Sequence, residues 1–267
     1  MHLKKMSFKL VLLLLTALLL VGFSSMAGAA ETIKIGALND MTGATSDVGK
    51  DYALGIAEAI HYVNDNGGIN GKAIKLYQFD YGYRIPEALT KYNLFKRLKC
   101  AAILGWGTGD TEALAPTVKK DKIPYVSASY SGHLCDPEKT PYNLFFSTDY
   151  STQSRGLITA WFDKKWPQKP DYGKRKPRIA MCYMFASPFS SSSIKAAKDQ
   201  AAILGFEVGP DQDVSLFAID TKSQILSLKE FKPDVLLHTN TVMSVAATLR
   251  DSYSLGLGAD NLIKCWG

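Results

Sequence analysis

The clearest pattern in the sequence is an amphipathic helix followed by an alternating strand. Apolar residues spaced three or four positions apart, as on one face of a helix, are Ala53, Ile56, Ile60 and Val63. The pair Gly67-Gly68 predicts the end of this helix, because glycine takes a left-handed backbone without steric cost. Ile74 and Leu76 then alternate with polar neighbours, as in a half-buried strand that reaches Asp80. With a first strand over 32–38, these elements predict a parallel α/β unit.

The same alternation of strands and helices continues along the chain. Further strands are predicted at 100–104, 122–127, 144–148, 178–184, 207–214, 234–237 and 262–265. Helices are predicted from Pro86, Glu112 and Asp149, and over 190–203, 221–231 and 242–253. Because the second half repeats the order of the first, the sequence predicts two Rossmann-like lobes with parallel sheets, 31–149 and 150–267, joined by a hinge near Asp149.

The N-terminal segment is typical of a secretory signal peptide. Lys4, Lys5 and Lys9 precede an apolar run over 10–21, and Ala27-Gly28-Ala29 offers the small residues that signal peptidase needs. The apolar run is shorter than the roughly 20 residues that span a bilayer. Residues 1–30 are therefore expected to be removed, and the protein is expected to be periplasmic.

Net charge and cysteine content limit the partners, disulfides and cofactors that the sequence predicts. The formal net charge is +6, of which the three signal lysines supply half, so the sequence does not call for a nucleic-acid partner. A bridge from Cys100 to Cys135, at opposite ends of neighbouring predicted strands, would span about 16 Å, which exceeds disulfide geometry. All four cysteines, which also include Cys182 and Cys265, are expected to be free and mostly buried. His133-x-Cys135 is an isolated pair, so neither a metal nor a cofactor is predicted.

Polar turns follow two neighbouring strands of the predicted first sheet. The glycine-rich run 105–111 joins a strand to a helix and exposes backbone N–H groups at the positive helix end, which suits an anion. Its Gly-x-Gly-x-Gly spacing differs from a dinucleotide fingerprint. The second turn covers 127–132, and both turns should meet at the carboxyl edge of the sheet, where α/β folds bind ligands. The alternative is that these serines only cap helices and complete turns.

An ordered set of short motifs runs through both halves of the chain: the run 36–43, then Gly49 and Gly55, the segment 64–72 and Asp80, and in the second half 201–208 and 231–235. With these motifs the sequence resembles the branched-chain amino-acid-type periplasmic binding proteins of ABC importers. The resemblance implies the type I periplasmic binding fold and a monomer that closes on a small molecule and delivers it to a membrane permease, without catalysis. In the family the chain continues further, so a C-terminal part is expected to be missing after Gly267.

The resemblance also implies a set of ligand-binding residues. These are Trp106, Gly107, Thr108, Asp110, Thr111, Ser129, Tyr130, Ser131, Phe189 and Asn240. Asp110 stands where relatives usually have serine, and a carboxylate there would repel a ligand carboxylate unless it is protonated or faces away. Phe189 lacks the phenol hydroxyl of the usual tyrosine. The ligand is expected to be an amino acid or a related carboxylate or amide, or else a planar group that stacks on the aromatic rings.

Two other classes of protein share parts of this pattern. A sensor ectodomain would have the same fold. An exported α/β hydrolase would need a nucleophile or paired carboxylates, and Asp40 with Asp110 is the one pair at the sheet edge. His61, His133 and His238 are predicted in a helix, a loop and a strand without a spaced acid, so a binding protein is favoured over an enzyme.

Overall fold

The first sheet has five parallel strands in the order β2-β1-β3-β4-β5. The structure, a computed structural model, describes residues 31–258 and the backbone of 262–264, so the predicted signal peptide and Cys265 lie outside the described residues. The strands are β1 (Ile33–Asn39), β2 (Ile74–Asp80), β3 (Ala102–Gly105), β4 (Tyr125–Ser127) and β5 (Asn143–Leu144). In register, Asn39 pairs with Asp80 and Gly105 with Ser127, so the carboxyl ends of these strands share one edge.

Three helices connect these strands: α1 (Ser46–Asp65), α2 (Ile85–Leu98) and α3 (Thr108–Asp121). Gly67 and Gly68 follow α1 with φ of 93° and 71°, which confirms the predicted glycine stop. Pro86 lies in the first turn of α2, where its missing N–H costs nothing. The predicted strand over 144–148 is wrong in extent, since only Asn143 and Leu144 pair with β4.

The second sheet is also parallel, with β10-β9-β6-β7 as its order and β8 pairing with the other end of β6. Its strands are β6 (Arg178–Tyr183), β7 (Glu207–Val208), β8 (Gln212–Asp213), β9 (Val235–His238) and β10 (Leu262–Lys264). The single strand predicted over 207–214 is therefore wrong. Pro210 has no N–H to donate, and Gly209 lies so close to the Phe231 ring that a Cβ there would be 2.4 Å from it.

The helices of the second half are α4 (Tyr150–Lys164), α5 (Pro188–Ser191), α6 (Ile194–Ile203), α7 (Lys222–Lys229) and α8 (Val242–Ser254). The helix predicted over 190–203 is broken into α5 and α6. α5 begins at Pro188, and the preceding Ser187 caps the helix because its side chain accepts a hydrogen bond from Ser190 N. The break places the buried Ser193 where its hydroxyl accepts a 2.8 Å hydrogen bond from Ser154 of α4.

Separate apolar cores support the two sheets. One includes Leu38, Phe95 and Tyr125 between the first sheet and α2 and α3. Another includes Trp161 of α4 and Met181 of β6, so the helix that follows Asp149 packs on the second sheet. None of the helices in the described part of the chain is long and apolar enough to cross a membrane. Within the same residues, all cysteines are free, as predicted; Cys100 and Cys182 are buried and Cys135 is exposed.

Candidate ligand-binding cleft

A cavity of about 350 Å³ lies between the loops at the carboxyl ends of the two sheets. This volume is within the range of small-molecule sites. The first sheet contributes the loops after all five of its strands and the start of α1, and the second contributes Phe189 of α5 and Thr241, which precedes α8. The aromatic residues on its wall are Tyr52, Tyr83, Trp106, Tyr130, Phe146, Tyr150 and Phe189. Aromatic residues therefore make up nearly half of the described wall, which is built from both halves of the chain.

The structure divides the ten predicted site residues into two groups. Those on the cavity wall are Trp106, Gly107, Thr108, Tyr130 and Phe189. Those buried outside the wall are Asp110, Thr111, Ser129, Ser131 and Asn240. The two predicted turns after β3 and β4 do come together, because the hydroxyls of Thr108 and Ser129 are 2.7 Å apart. Half of the predicted set thus faces the cavity, and the other half lies behind it.

The buried hydroxyls hold the two turns in place. Thr111 donates to the carbonyl of Gly107 at 2.5 Å, which closes the first turn of α3. Ser131 donates a 2.8 Å hydrogen bond to Glu112. It thereby attaches the turn after β4 to α3, the helix that follows the turn after β3. Since a buried hydroxyl needs a partner, these contacts satisfy the side chains within the protein itself.

Asn240 performs a similar task in the second half. Its side-chain oxygen accepts a hydrogen bond from the Ser190 hydroxyl, and its amide donates to the carbonyl of Val214 at 2.8 Å. The same Ser190 hydroxyl accepts from the backbone N–H of Met184 at 2.8 Å, at the end of β6. Asn240 therefore fixes α5, and with it the ring of Phe189, to the edge of the second sheet.

Trp106 is oriented by a chain of two hydrogen bonds. Its indole N–H donates to the hydroxyl of Thr45 at 2.7 Å, and that hydroxyl donates to Asp40 at 2.8 Å. The Asp40 carboxylate also accepts from the backbone N–H groups of Gly43 and Thr45. Tyr52 packs against the indole with ring centroids 5.0 Å apart. Asp40, considered in the sequence only as a catalytic partner of Asp110, thus organises the loop after β1.

Tyr83 enters the cavity from a tight turn after β2. Gly82 and Tyr83 both have left-handed backbones, with φ of 59° and 58°. Such a backbone is unfavourable for tyrosine, and strained residues of this kind concentrate at functional sites. Asp80 braces the turn by accepting from the N–H groups of Gly82 at 3.0 Å and Met41 at 2.9 Å.

Asp110 is the most unusual ionisable group near the cleft. It is 2% exposed, and Tyr81 donates its hydroxyl hydrogen to one carboxylate oxygen at 2.8 Å. Burial raises the pKa of Asp110 to about 7, although hydrogen bonds from Tyr81 and from the backbone N–H groups of Asp110 and Gly107 oppose this shift. Asp110 lies on a neighbouring cavity of about 210 Å³, whose other wall includes Pro188 and Leu216.

Several cavity residues escaped prediction from the sequence. Tyr83, Phe146 and Tyr150 come from loops after β2 and β5 or from the start of α4, and Thr241 from the loop after β9. Each follows soon after a strand, as the predicted turns do. A search for aromatic residues just beyond every strand end would have found Tyr83 and Phe146. No group of histidine, cysteine, aspartate or glutamate suited to hold a metal occurs among the residues that the structure describes.

The fold and the cleft define a two-lobed binding protein of the type I periplasmic binding fold. The model of the family described as periplasmic binding protein matches residues 32–264. The chain belongs to this family, which confirms the resemblance found in the sequence.

Individual relatives agree with this assignment. The Leu/Ile/Val-binding protein homolog 7 of Brucella abortus is 25% identical over 220 residues, which cover 80% of this chain and 53% of the relative. A substrate-binding protein of an ABC transporter from Aeropyrum pernix superposes with a TM-score of 0.78 at 34% identity, over 87% of this chain and 59% of the other. A branched-chain amino acid ABC transporter protein from Thermus thermophilus, solved with bound valine, superposes with a TM-score of 0.79 at 22% identity. The superposition covers 88% of this chain and 58% of the other. The chain spans about half the length of the curated relatives it matches.

Proposed function

We propose that this protein is the extracytoplasmic solute-binding component of an ABC importer. It would act as a periplasmic monomer, after removal of residues 1–30, and deliver its cargo to a membrane permease. The cargo class that the family suggests is an amino acid or a related carboxylate or amide. The observation that carries the proposal is the cavity whose wall is shared by the carboxyl edges of both sheets.

Capture would occur by closure of two lobes, 31–149 and 150–267, about a hinge near Asp149. Two contacts across the cleft support this mechanism. The rings of Tyr130, in the first lobe, and Tyr150, in the second, meet edge to face with centroids 5.7 Å apart. Asp47 of α1 accepts a 2.9 Å hydrogen bond from the backbone N–H of Met243 in α8. A ligand that touches both walls stabilises the closed arrangement by its differential affinity for it, and a permease can recognise that arrangement.

A thermal-shift screen against amino acids, amides and aromatic compounds tests the proposal. A binding compound at 100 times its dissociation constant adds about 2.7 kcal/mol to stability, so it should raise the melting temperature by several degrees. Trp106→Ala removes an aromatic wall and should abolish most of the shift. Tyr62→Ala is the matched control, because this ring is 71% exposed on α1 and lies off the cavity wall.

Small-angle scattering with the best compound provides an independent measurement of closure. We expect the radius of gyration to fall on binding in the protein and in Tyr62→Ala. If no compound of any class shifts the melting temperature, the proposal of a solute-binding function is wrong.

A further inference from the structure

The described residues that line the main cavity offer no charged partner to a ligand. Among the described residues that line it, the polar ones carry only hydroxyl, amide or indole groups: Thr45, Thr108, Ser147, Gln153 and Thr241, with the tyrosines and Trp106. A buried charge without a counter-charge or several hydrogen bonds costs several kcal/mol. An ionic ligand would therefore depend on the helix N-termini that border the cavity. Those of α1 and α8 already have the carboxylate of Asp47, and that of α4 is capped by Asp149, which leaves the N-terminus of α3.

That helix terminus is already occupied by a carboxylate of the protein. Gly107, the residue before α3, has no side chain to cap the helix, and Asp110 lies in the first turn. One carboxylate oxygen of Asp110 accepts the hydrogen bond from Tyr81, and the backbone N–H groups of Gly107 and Asp110 favour the charged form. The other oxygen is buried with no partner among the described residues. An acid in the first turn that reaches back to the N-cap N–H is half of a capping box. Asp110 thus lies at the N–H groups and the positive dipole end that would otherwise attract a ligand anion.

In the part of the chain that the structure describes, no cation is among the groups that act on Asp110 and could offset a second negative charge. The ionisable groups that act on it are Asp40 after β1, Tyr81 and Tyr83 after β2, and Tyr125 of β4. Glu112, on the same helix, is engaged with Ser131. From the second lobe, the residues on the adjoining cavity are uncharged, and they include Met184, Ser187, Pro188 and Leu216.

We propose, on the basis of the proposed function, that the cleft takes an uncharged ligand with an aromatic body and that Asp110 excludes ligands bearing a carboxylate near α3. The aromatic wall supplies stacking and edge contacts for a planar ring. Hydroxyl groups such as that of Thr108 and the side-chain amide of Gln153 match amide, hydroxyl or N–H groups of the ligand. An amino acid, with its obligatory carboxylate, is disfavoured by this arrangement.

The exclusion has a built-in dependence on pH. Because burial raises the pKa of Asp110 to about 7, its charge is present above this pH and is lost below it. Repulsion of a ligand carboxylate should therefore weaken as the pH falls from 8 to 6, while an uncharged ligand should bind with little change.

A matched pair of probes isolates this effect. Indole-3-acetamide and indole-3-acetate have the same shape and differ in charge. By titration calorimetry at pH 8, we expect the amide to bind at least about tenfold more tightly than the acetate. Asp110→Asn should raise the affinity for the acetate about tenfold and leave the affinity for the amide within about threefold. The control is Glu87→Gln, an acid in the first turn of α2 whose side chain is 44% exposed; it should change neither affinity.

The pH series on the unmodified protein needs no variant, so it remains decisive if Asp110→Asn fails to fold. Acetate affinity that rises about tenfold from pH 8 to pH 6, with steady amide affinity, supports the inference. Equal affinity for both probes at pH 8 overturns the inference while the solute-binding function stands. The same holds if L-leucine or benzoate binds but neither indole-3-acetamide nor benzamide does. Failure of charged and uncharged compounds alike overturns the proposed function instead.

Discussion

Asp110 is a carboxyl group held where its charge is poorly solvated. Burial raises its pKa from the ordinary value near 4 to about 7, so the folded protein binds this proton more tightly than the unfolded chain does. The stability contributed by the bound proton is present at low pH and is lost as the pH rises from about 4 to about 7. Above pH 7, where Asp110 is charged in both the folded and the unfolded protein, the free-energy cost of burying that charge no longer changes with pH.

Asp110→Asn should therefore change the pH dependence of stability. Relative to this variant, the unmodified protein should lose roughly 1 to 4 kcal/mol of unfolding free energy between pH 4 and pH 8. Urea unfolding at several pH values measures the difference, with Glu87→Gln as the control for an exposed acid. Parallel curves for the protein and Asp110→Asn would contradict the assignment of the raised pKa.

Glycine is required at position 107 because neighbouring side chains leave no room for a Cβ atom. A Cβ at this position would lie 2.3 Å from the Asp110 carboxylate, 2.6 Å from the Tyr81 hydroxyl and 2.6 Å from the Tyr83 ring. All three atoms belong to side chains that are held by burial or hydrogen bonds, so they cannot withdraw without loss.

Gly107→Ala should destabilise the protein by roughly 1 to 3 kcal/mol and weaken ligand binding, because it displaces the wall of the cleft. Gly55→Ala is the matched control, since nothing lies within 4 Å of a Cβ there and the residue is in the middle of α1. It should stabilise by about 0.5 to 1 kcal/mol through higher helix propensity. Denaturant midpoints compare the two; equal midpoints would show that the turn adapts without cost.

At the level of elements, two helix N-termini meet across the cleft. Asp47 in the first turn of α1 accepts the hydrogen bond from Met243 N in the first turn of α8. The first N–H groups of a helix have no partner within it, and an acid is favoured at that end of the dipole. This contact joins α1 of the first lobe to α8 of the second, so under the proposed closure it favours the closed arrangement.

Asp47→Ala should therefore weaken ligand binding by roughly twofold to tenfold, since an exposed charge-assisted hydrogen bond contributes about 0.5 to 1.5 kcal/mol. Global stability should change little. Asp51→Ala, an exposed acid one turn further along α1, is the control and should leave affinity unchanged. Titration calorimetry with the best compound of the screen gives the comparison. Identical affinity in the two variants would mean that the contact does not favour closure.

The elements also show where prediction from local pattern ends. The segment 207–214 has the alternation of one strand, yet Gly209 and Pro210 separate β7 from β8, and both short strands pair with β6. The hydrophobic period could not reveal this, because the break depends on the close approach of Gly209 to the Phe231 ring. The interruption between α5 and α6 similarly follows from caps and buried serines, which have no apolar period.

For the whole molecule, the two lobes face each other with the carboxyl edges of their sheets. Each sheet has its own core, and α4, which begins immediately after the predicted hinge at Asp149, packs into the second core. Rigid lobes joined in this way can move as units while the cleft between them opens and closes. The apolar cluster of Tyr150, Phe189 and Leu216 in the second lobe packs against Tyr83 and Tyr130 of the first.

The sequence by itself determined the parallel α/β class, the order of most elements and the two polar turns after β3 and β4, because periodicity, glycine stops and strand ends are local properties of the chain. Only the tertiary structure decided which residues reach the cavity. Ser131 and Asn240 have the same polar character as Thr108, yet they are satisfied by Glu112 and Ser190 and lie behind the wall. Whether a polar side chain faces a ligand depends on partners far away in sequence, and no local pattern specifies them.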